Sequence, residues 1–333
     1  MTLFQFGGQD IGAGERLTVE LQVSVLANST RMNLPVHVMH GVRPGPTFFI
    51  SGVVHGDEIQ GVEIVRRILT ALETRDMAGT LLAVPIVNGF GFLNHSRYMP
   101  DRRDLNRSFP GSDQGSLASL LADLFFREVI LRSQYGIDFH TAALHRTNLP
   151  QIRMTPDDAQ LLALADAFAP PVILASRLRD GSLRQSAKDH GVNVLLYEGG
   201  EALRFDEGAI DAAVKGTLRV MKAVGMIAEA PVVSPHSVVT HSTSSTWLRA
   251  PEGGILHSVR QIGDRVGQLE PVGVISDPLG SSHVPVVAEE DGIIIGRTNL
   301  PIVNRGDALF HVARIKTRAR VADQPLPDED EII

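Results

Sequence analysis

The chain of 333 residues contains no cysteine. Disulfide bonds, thiolate metal sites and thiol nucleophiles are therefore excluded. Any metal ion that the protein binds must be held by the nitrogen and oxygen atoms of histidine and carboxylate side chains. The search for a metal site consequently reduces to the histidines, aspartates and glutamates.

An excess of positive charge and long apolar runs are also missing. The formal net charge is -7 and the pI is near 5.9, which argues against nucleic acid or an anionic membrane as partner, since both bind basic surfaces. No apolar stretch reaches the length needed to span a membrane, and the N-terminus lacks the basic and apolar regions of a secretory signal. We therefore expect a cytoplasmic protein that acts on a small molecule.

The length and the apolar content predict more than one domain. At 333 residues, 43% of them hydrophobic, the chain exceeds a typical single core. Apolar runs and helical periodicity alternate over residues 1–230, which predicts an α/β domain with a mixed, mostly parallel sheet and helices on both faces. Residues 231–240 are predicted to be a linker, and the acidic residues 317–333 a mobile tail.

The remaining segment, residues 241–316, predicts a small all-β sandwich. Short β-type segments and glycine turns replace the helical periodicity, and residues 250–266 resemble residues 288–309. The pattern resembles the hybrid sandwich of biotinyl and lipoyl carrier domains. No lysine lies between Lys222 and Lys316, so this domain lacks the residue that carrier domains modify and is not expected to carry a cofactor.

A histidine and a glutamate follow an apolar run near the start of the predicted sheet. Residues 47–54 are predicted to form a buried strand and residues 60–73 a helix, so His55 and Glu58 lie on the turn between them. Ligands commonly bind at this end of an open sheet. The pair predicts two zinc ligands, with His140 at the end of a later strand as the third. A solvated histidine beside a helix-capping glutamate is the alternative.

The long loop from residue 88 to residue 116 concentrates cationic side chains. Loops of this length without secondary structure are usually functional or disordered. The guanidinium groups of arginine bind carboxylates through paired hydrogen bonds, which predicts a site for a substrate carboxylate. A solvated loop of arginine–aspartate pairs is the alternative. The residues concerned are Arg97, Arg102, Arg103, Asn106 and Arg107.

A third candidate group is a glutamate at the end of the apolar strand 192–198. Glu198 is followed by two glycines and is placed where a general base can face a cleft. Glu201 competes with it for that role. A glutamate that caps a helix or lies in a loop is the structural alternative for an isolated residue of this kind.

Four segments of the sequence form a set: Gly52-x-x-His55-Gly56-Asp57-Glu58, Asp104-Leu105-Asn106-Arg107-x-Phe109-Pro110-Gly111, Asp138-Phe139-His140-Thr141 and Tyr197-Glu198-Gly199-Gly200. Together they resemble the succinylglutamate desuccinylase/aspartoacylase family, within the zinc carboxypeptidase clan. The resemblance extends over roughly residues 15–315 and is closest to the bacterial deacylase branch.

The resemblance implies a zinc carboxypeptidase-like fold and a zinc-dependent activity. It implies that His55, Glu58 and His140 bind one zinc ion per chain and that Glu198 is the general base. The implied reaction is hydrolysis of the amide bond of a small N-acyl amino acid, which releases a carboxylate and a free amine. A carboxypeptidase acting on short peptides and a catalytically inactive binding protein are the alternatives. The β domain offers surface for self-association into a homo-oligomer.

The resemblance also implies roles for the loop residues. Asn106 and Arg107 would bind a substrate carboxylate, and Arg97 would polarise the scissile carbonyl. The spacing between Arg97 and Asn106 is longer than in aspartoacylase, so Arg103 is the alternative for Arg97. Aspartoacylase also uses a tyrosine of its C-terminal domain. Tyr197 is the last tyrosine of this chain, so that contact must be absent or replaced.

Overall fold

The computed structural model describes residues 3–234 and 238–315. The strands of the first part are β1 Leu3–Phe6, β2 Gln9–Gly12, β3 Arg16–Val25, β4 Arg31–His40, β5 Arg43–Gly52, β6 Ala78–Val84, β7 Tyr135–Ala142, β8 Arg146–Met154, β9 Val172–Ala175 and β10 Asn193–Glu201. The helices are α1 Gln60–Ala71, α2 Gly89–Leu93, α3 Leu117–Phe125, α4 Ala159–Phe168, α5 Leu183–Asp189 and α6 Glu207–Ala223. The later strands are β11 Thr240–Ser242, β12 Ser245–Arg249, β13 Gly254–Ser258, β14 Arg265–Val266, β15 Pro271–Ser276, β16 His283–Val287, β17 Gly292–Thr298, β18 Ile302–Val303 and β19 Ala308–Arg314.

A large mixed sheet runs through the molecule. Its order is β12-β19-β17-β8-β10-β7-β5-β6-β4-β3, and β9 extends from β8. The central strands β6, β5, β7 and β10 are parallel to one another, and β3 and β4 form an antiparallel edge. The predicted fold class, an α/β sheet that is parallel at its centre, is confirmed.

Helices cover both faces of this sheet, as the sequence predicts. Alternate residues of β5 point to opposite faces because side chains alternate along a strand. Phe48 and Ile50 pack with α1, α4 and α6 in one buried cluster, whereas Phe49 packs with α3 and α5 in another. The parallel centre of the sheet is therefore buried on both sides, which explains its continuous apolar runs.

The C-terminal part adds the predicted all-β layer. The strands β16, β15, β13 and β18 form a separate antiparallel sheet. Their apolar side chains pack against those of β12, β17 and β19 in a third buried cluster that includes Leu256, Ile275 and Phe310. The strand β17 also pairs with β8, so the large sheet continues into the C-terminal part.

The structure differs from the sequence prediction in two places that matter for the site. The segment 146–154 forms β8, although Pro150 and several polar residues weaken its strand pattern. The pairing of β8 with β10 is irregular at this point, and a proline, which has no N–H group, is tolerated at such a bulge. The loop 88–116 is not devoid of structure, because it contains α2 and a short 3-10 turn at Leu105–Arg107.

The predicted domain boundaries remain a prediction. Of the linker 231–240, the structure describes residues 231–234 and 238–240, and Thr240 already begins β11. The acidic tail 317–333 lies outside the described residues. None of the helices in the described ranges is both long and apolar enough to cross a membrane.

Candidate active site

The candidate metal ligands meet at the carboxyl ends of the central parallel strands. His55 and Glu58 follow β5, and His140 lies near the end of the neighbouring β7. The turn that carries His55 packs closely against the loop that follows β6. A Cβ atom on Gly56 would lie 2.0 Å from the carbonyl carbon of Gly91, so only glycine permits this approach.

The three side chains converge on one point. The Nδ1 atom of His55 lies 2.8 Å from Oε1 of Glu58, and Nδ1 of His140 lies 2.7 Å from Oε2 of the same carboxylate. The two Nδ1 atoms are 3.2 Å apart. All three residues are buried, and one ligand atom from each lies within 4.8 Å of the others. This cluster can therefore hold a metal ion.

The outer nitrogen atoms of both histidines are held by carboxylates. Nε2 of His140 lies 2.7 Å from Oδ2 of Asp138, and the other carboxylate oxygen, Oδ1, accepts a hydrogen bond from the hydroxyl of Ser51 at 2.8 Å. Nε2 of His55 lies 3.1 Å from Oδ1 of Asp104. A metal-binding histidine is commonly oriented by such a partner, which fixes its tautomer and leaves the other ring nitrogen for the ion. The donor set therefore fits a metal ion.

Burial and charge shift the pKa values of the three side chains in opposite directions. Burial alone would lower the pKa of both histidines and raise that of Glu58. The charges outweigh burial: Glu58 raises the pKa of His55, and Asp138 together with Glu58 raises that of His140. The same two histidines hold the pKa of Glu58 well below its usual value. The carboxylate is thus stabilised in the ionised form that a metal ligand requires.

Three of the loop residues named by the sequence line the cavity beside the cluster: Arg97, Asn106 and Arg107. Arg97 lies at the cluster, where its guanidinium donates to Oε1 of Glu58 at 3.0 Å and to Oδ2 of Asp104 at 3.3 Å. Asn106 is buried, and its Oδ1 accepts a hydrogen bond from the N–H of Leu183 at 2.9 Å. Arg107 lines the same cavity and donates to the carbonyl of Asn106.

Arg103 is not brought to the site. Its side chain is 65% exposed, and its Nε lies 3.9 Å from Asp101 rather than near the cluster. It is absent from the described residues that line the cavity. Of the two arginines that the sequence left as alternatives, only Arg97 lies where it can reach a substrate bound beside the three ligands.

Glu198 lies on β10, the strand next to β7, which carries His140. It pairs directly with His140 in the parallel register of β10 and β7, so the two side chains lie on the same face of the sheet. The amide nitrogen of Asn148 donates to its Oε2 at 2.8 Å. Glu201 instead accepts hydrogen bonds from the backbone of His145 and from Asn299, so it does not replace Glu198 in the cavity.

The cavity in front of these groups has a volume of about 590 Å³. Its wall also contains residues from β8, from the segment before α5, from α5 itself and from the C-terminal strands. Among them are Arg146, Arg153, Arg177, Arg179, Arg184, Trp247 and His311. No local sequence pattern connects these positions. The pairing of β12 with β19, of β19 with β17 and of β17 with β8 brings Trp247 and His311 to the cavity.

Trp247 and His311 are the contribution of the C-terminal part to the cavity. Their rings stack with centroids 4.7 Å apart and planes 6° apart, and the guanidinium of Arg146 lies over the Trp247 ring. The family resemblance implied that the tyrosine contact of aspartoacylase is absent or replaced in this chain. The structure shows an aromatic pair from β12 and β19 at the cavity wall.

The fold and the cluster define an α/β protein with a His-Glu-His set that can bind a metal ion at the carboxyl edge of its sheet. Residues 44–224 match the succinylglutamate desuccinylase/aspartoacylase catalytic domain, and the chain belongs to that family. The resemblance inferred from the four sequence segments is therefore confirmed.

Individual relatives agree with this assignment. The chain is 28% identical over 295 residues to the N-alpha-acetyl-L-2,4-diaminobutyric acid deacetylase of Halomonas elongata. The aligned region covers 81% of this chain and 83% of that protein. A succinylglutamate desuccinylase/aspartoacylase structure from Rhodobacter sphaeroides is 24% identical with a TM-score of 0.80, over 90% of this chain and 96% of that one. The product-bound structure of the ectoine utilization protein EutE (DoeB) from Ruegeria pomeroyi is 22% identical and has a TM-score of 0.79. The match covers 90% of this chain and 94% of that one. The two structures show the shared fold.

Proposed function

We propose that the protein is a zinc-dependent hydrolase that cleaves the amide bond of a small N-acyl amino acid. The observation that carries this proposal is the placement of Glu198 beside His140 on neighbouring strands, with His55 and Glu58 completing the cluster. Two histidines and one glutamate are a ligand set of catalytic zinc sites, which keep a further position for water or substrate.

His55, Glu58 and His140 would hold the ion, one per chain. When bound, zinc supplies a Lewis acid that lowers the pKa of water and polarises the amide carbonyl. The deacylase relative from Halomonas elongata supports this class of reaction, and N-α-acetyl-L-2,4-diaminobutyrate is the first substrate to test.

The protein side chains have distinct tasks in this reaction. Asn148 donates to Oε2 of Glu198, and Nη1 of Arg153 lies 3.5 Å from Oε1, so both contacts orient the carboxylate. Glu198 would accept a proton from the attacking water and deliver it to the departing nitrogen. Arg97 stabilises the negative charge that develops on the carbonyl oxygen. Asn106 and Arg107 bind the carboxylate of the amino acid, with the orientation of Asn106 set by its bond to the backbone of Leu183.

The substitution Glu198→Gln tests the proposal. It keeps the shape and the hydrogen bond to Asn148 but removes the base, so kcat against N-acetyl amino acids should fall by about 10²- to 10⁴-fold. The zinc content, measured by mass spectrometry on the same preparation, should stay at the wild-type level.

The matched control is Glu201→Gln, three residues further along β10, which should retain the wild-type rate. Wild-type turnover in Glu198→Gln would remove Glu198 from the mechanism. Cleavage of C-terminal residues from short peptides, with no release of acid from N-acyl amino acids, would favour the carboxypeptidase alternative.

A further inference from the structure

The proposed general base, Glu198, is contacted by a residue that follows from a β-bulge. Asn148 on β8 is buried and donates from its side-chain amide to Oε2 of Glu198 at 2.8 Å. Glu198 itself pairs with Gln151, so an unbroken antiparallel ladder would place Leu149 opposite Gly200. The register shifts here, and Gly200 pairs with Asn148 instead. A bulge re-aims a side chain in this way, and here it brings Asn148 beside the base.

The other edge of β8 is paired with β17 of the C-terminal part. Gly296 on β17 lies directly opposite Asn148 in the antiparallel register. On its second edge, β17 pairs with β19, where Gly296 lies opposite His311. Asn148 therefore lies between the strand that carries the base and a strand of the C-terminal part.

Gly296 leaves space for the amide group of Asn148. A Cβ atom at position 296 would lie 2.9 Å from Oδ1 of Asn148, whereas the next nearest atoms would be 3.4 Å away. The φ angle of Gly296 is not positive, so space rather than backbone conformation explains the glycine. Glycine weakens the interior of a strand and often marks a place where another group approaches closely.

Only one orientation of the Asn148 amide suits both of its neighbours. A carboxylate that acts as a base accepts hydrogen bonds and does not donate them, so the NH2 group faces Glu198 and Oδ1 faces β17. A methyl group at position 296 would collide with Oδ1. Because this oxygen is the end of a rotatable side chain, the amide can turn away without moving the backbone, but it then loses its bond to Glu198.

We propose that Gly296 is a positioning residue for the reaction. By leaving space for Asn148, β17 of the C-terminal part sets the orientation of Glu198. The inference rests on the proposed function, since it takes Glu198 as the general base. It gives the C-terminal part a role in the chemistry that needs no contact with the substrate. The candidate metal ligands follow β5 or lie on β7, so metal binding should not depend on Gly296.

The substitution Gly296→Ala tests the proposal, with Gly253→Ala in the C-terminal part as the matched control. A Cβ atom at position 253 would meet no atom closer than 3.5 Å, and φ is not positive there either. With N-α-acetyl-L-2,4-diaminobutyrate as the probe, Gly296→Ala should lower kcat by about tenfold to hundredfold, because a catalytic group is misaligned, and should leave KM nearly unchanged. Gly253→Ala should keep the wild-type kcat.

Two further measurements separate this role from a structural one. The zinc content and the thermal midpoint of Gly296→Ala should stay at the wild-type level, because the displaced atom belongs to a side chain and not to the backbone. A large fall in the thermal midpoint would contradict the proposal, since the glycine would then serve the packing of the strands.

A double-mutant cycle tests whether Gly296 acts through Asn148. Asn148→Ala removes the amide and should lower kcat to a similar extent as Gly296→Ala. Adding Gly296→Ala to Asn148→Ala should cause no further loss, because the atom that the methyl group displaces is already absent. Independent effects would multiply instead, and a multiplied loss in the double variant would overturn the proposal.

The side-chain amide of Asn148 gives a readout that does not require turnover. In protein labelled with nitrogen-15 asparagine, its NMR signal is identified by its absence from Asn148→Ala. Gly296→Ala should move this signal from the low field of a charge-assisted hydrogen bond toward the position of solvated amides, and Gly253→Ala should not. An unchanged signal in Gly296→Ala would overturn the positioning role. A moved signal, with no hydrolysis of N-acyl amino acids by the wild-type protein, would instead overturn the proposed reaction.

Discussion

Two groups of side chains line the same cavity, and they differ in how their polar atoms are paired. In the His-Glu-His cluster, the outer nitrogen of each histidine is bound by a carboxylate, and the inner nitrogens face Glu58. The second group, the arginine wall, consists of Arg153, Arg184 and His311. Each of these three side chains has a buried nitrogen without a hydrogen-bond partner in the described parts of the chain.

The proposed function accounts for this difference, since the cluster would hold an ion and the cavity wall would face a substrate. A resident ion needs ligands whose protonation and orientation are set in advance, which requires a complete set of supporting contacts. A substrate comes and goes, so the donors that recognise it must remain available between turnovers. Loss of a supporting contact in the cluster should therefore weaken metal binding, whereas loss of a contact at the wall should leave the metal bound.

The largest effect is expected from removing a metal ligand. His140→Ala leaves two ligands, which should reduce the bound zinc from about one ion per chain to a trace and should abolish hydrolysis. Mass spectrometry of dialysed protein measures the zinc content. His283→Ala, an exposed histidine on β16, is the control and should keep both zinc and activity. Full zinc content in His140→Ala would show that the ion binds elsewhere.

A smaller effect is expected from the supporting carboxylates. Asp138→Asn and Asp104→Asn each keep the side-chain shape but weaken the contact to a ligand histidine, so zinc affinity should fall by about 10- to 100-fold. Competition with a chromophoric chelator measures this affinity. Ser51→Ala removes only a hydrogen bond to Asp138 and should have a weaker effect. If all three variants bind zinc like the wild type, the carboxylates do not support the site.

The smallest effect is expected on the pH dependence of the protein's stability, to which His311 at the cavity wall contributes. The pKa of His311 is about 3 in the folded protein, below the usual 6.5. As the pH falls below about 6.5, the unfolded chain binds a proton that the folded protein excludes, so stability is lost progressively between these values.

His311→Phe should therefore show a shallower decline in thermal midpoint between pH 7 and pH 4.5 than the wild type, measured by differential scanning fluorimetry. Other groups titrate in both proteins, so the difference between the two curves isolates His311. Parallel curves would contradict the buried, neutral state of this ring.

The sequence predicted the metal cluster more completely than the arginine wall. His55 and Glu58 lie within four residues of each other at the end of an apolar run, and His140 and Glu198 end two further apolar strands. Because parallel strands share their carboxyl edge, predicting the strands was enough to bring these residues together. Asp104 could also have been proposed, since it lies in the same sequence segment as Asn106 and Arg107.

The arginine wall has no comparable signature. Arg153 lies on β8, which the sequence did not predict as a strand, and Arg184 lies in the first turn of α5. His311 comes from β19 and reaches the cavity because β17 pairs with β8 and β19 pairs with β17. Pairing between strands distant in the chain depends on side-chain packing across the sheet, which no short window of sequence contains.

The amino-acid sequence by itself predicted the α/β class, the family and the candidate metal ligands at the strand ends, because periodicity and short motifs act locally. Tertiary structure alone placed Arg97 rather than Arg103 beside the cluster, turned Glu201 away from the cavity, and assembled seven arginines and an aromatic pair around the cavity. Those outcomes depend on the direction of a side chain and on which distant strands become neighbours, and both are set only when the whole chain packs.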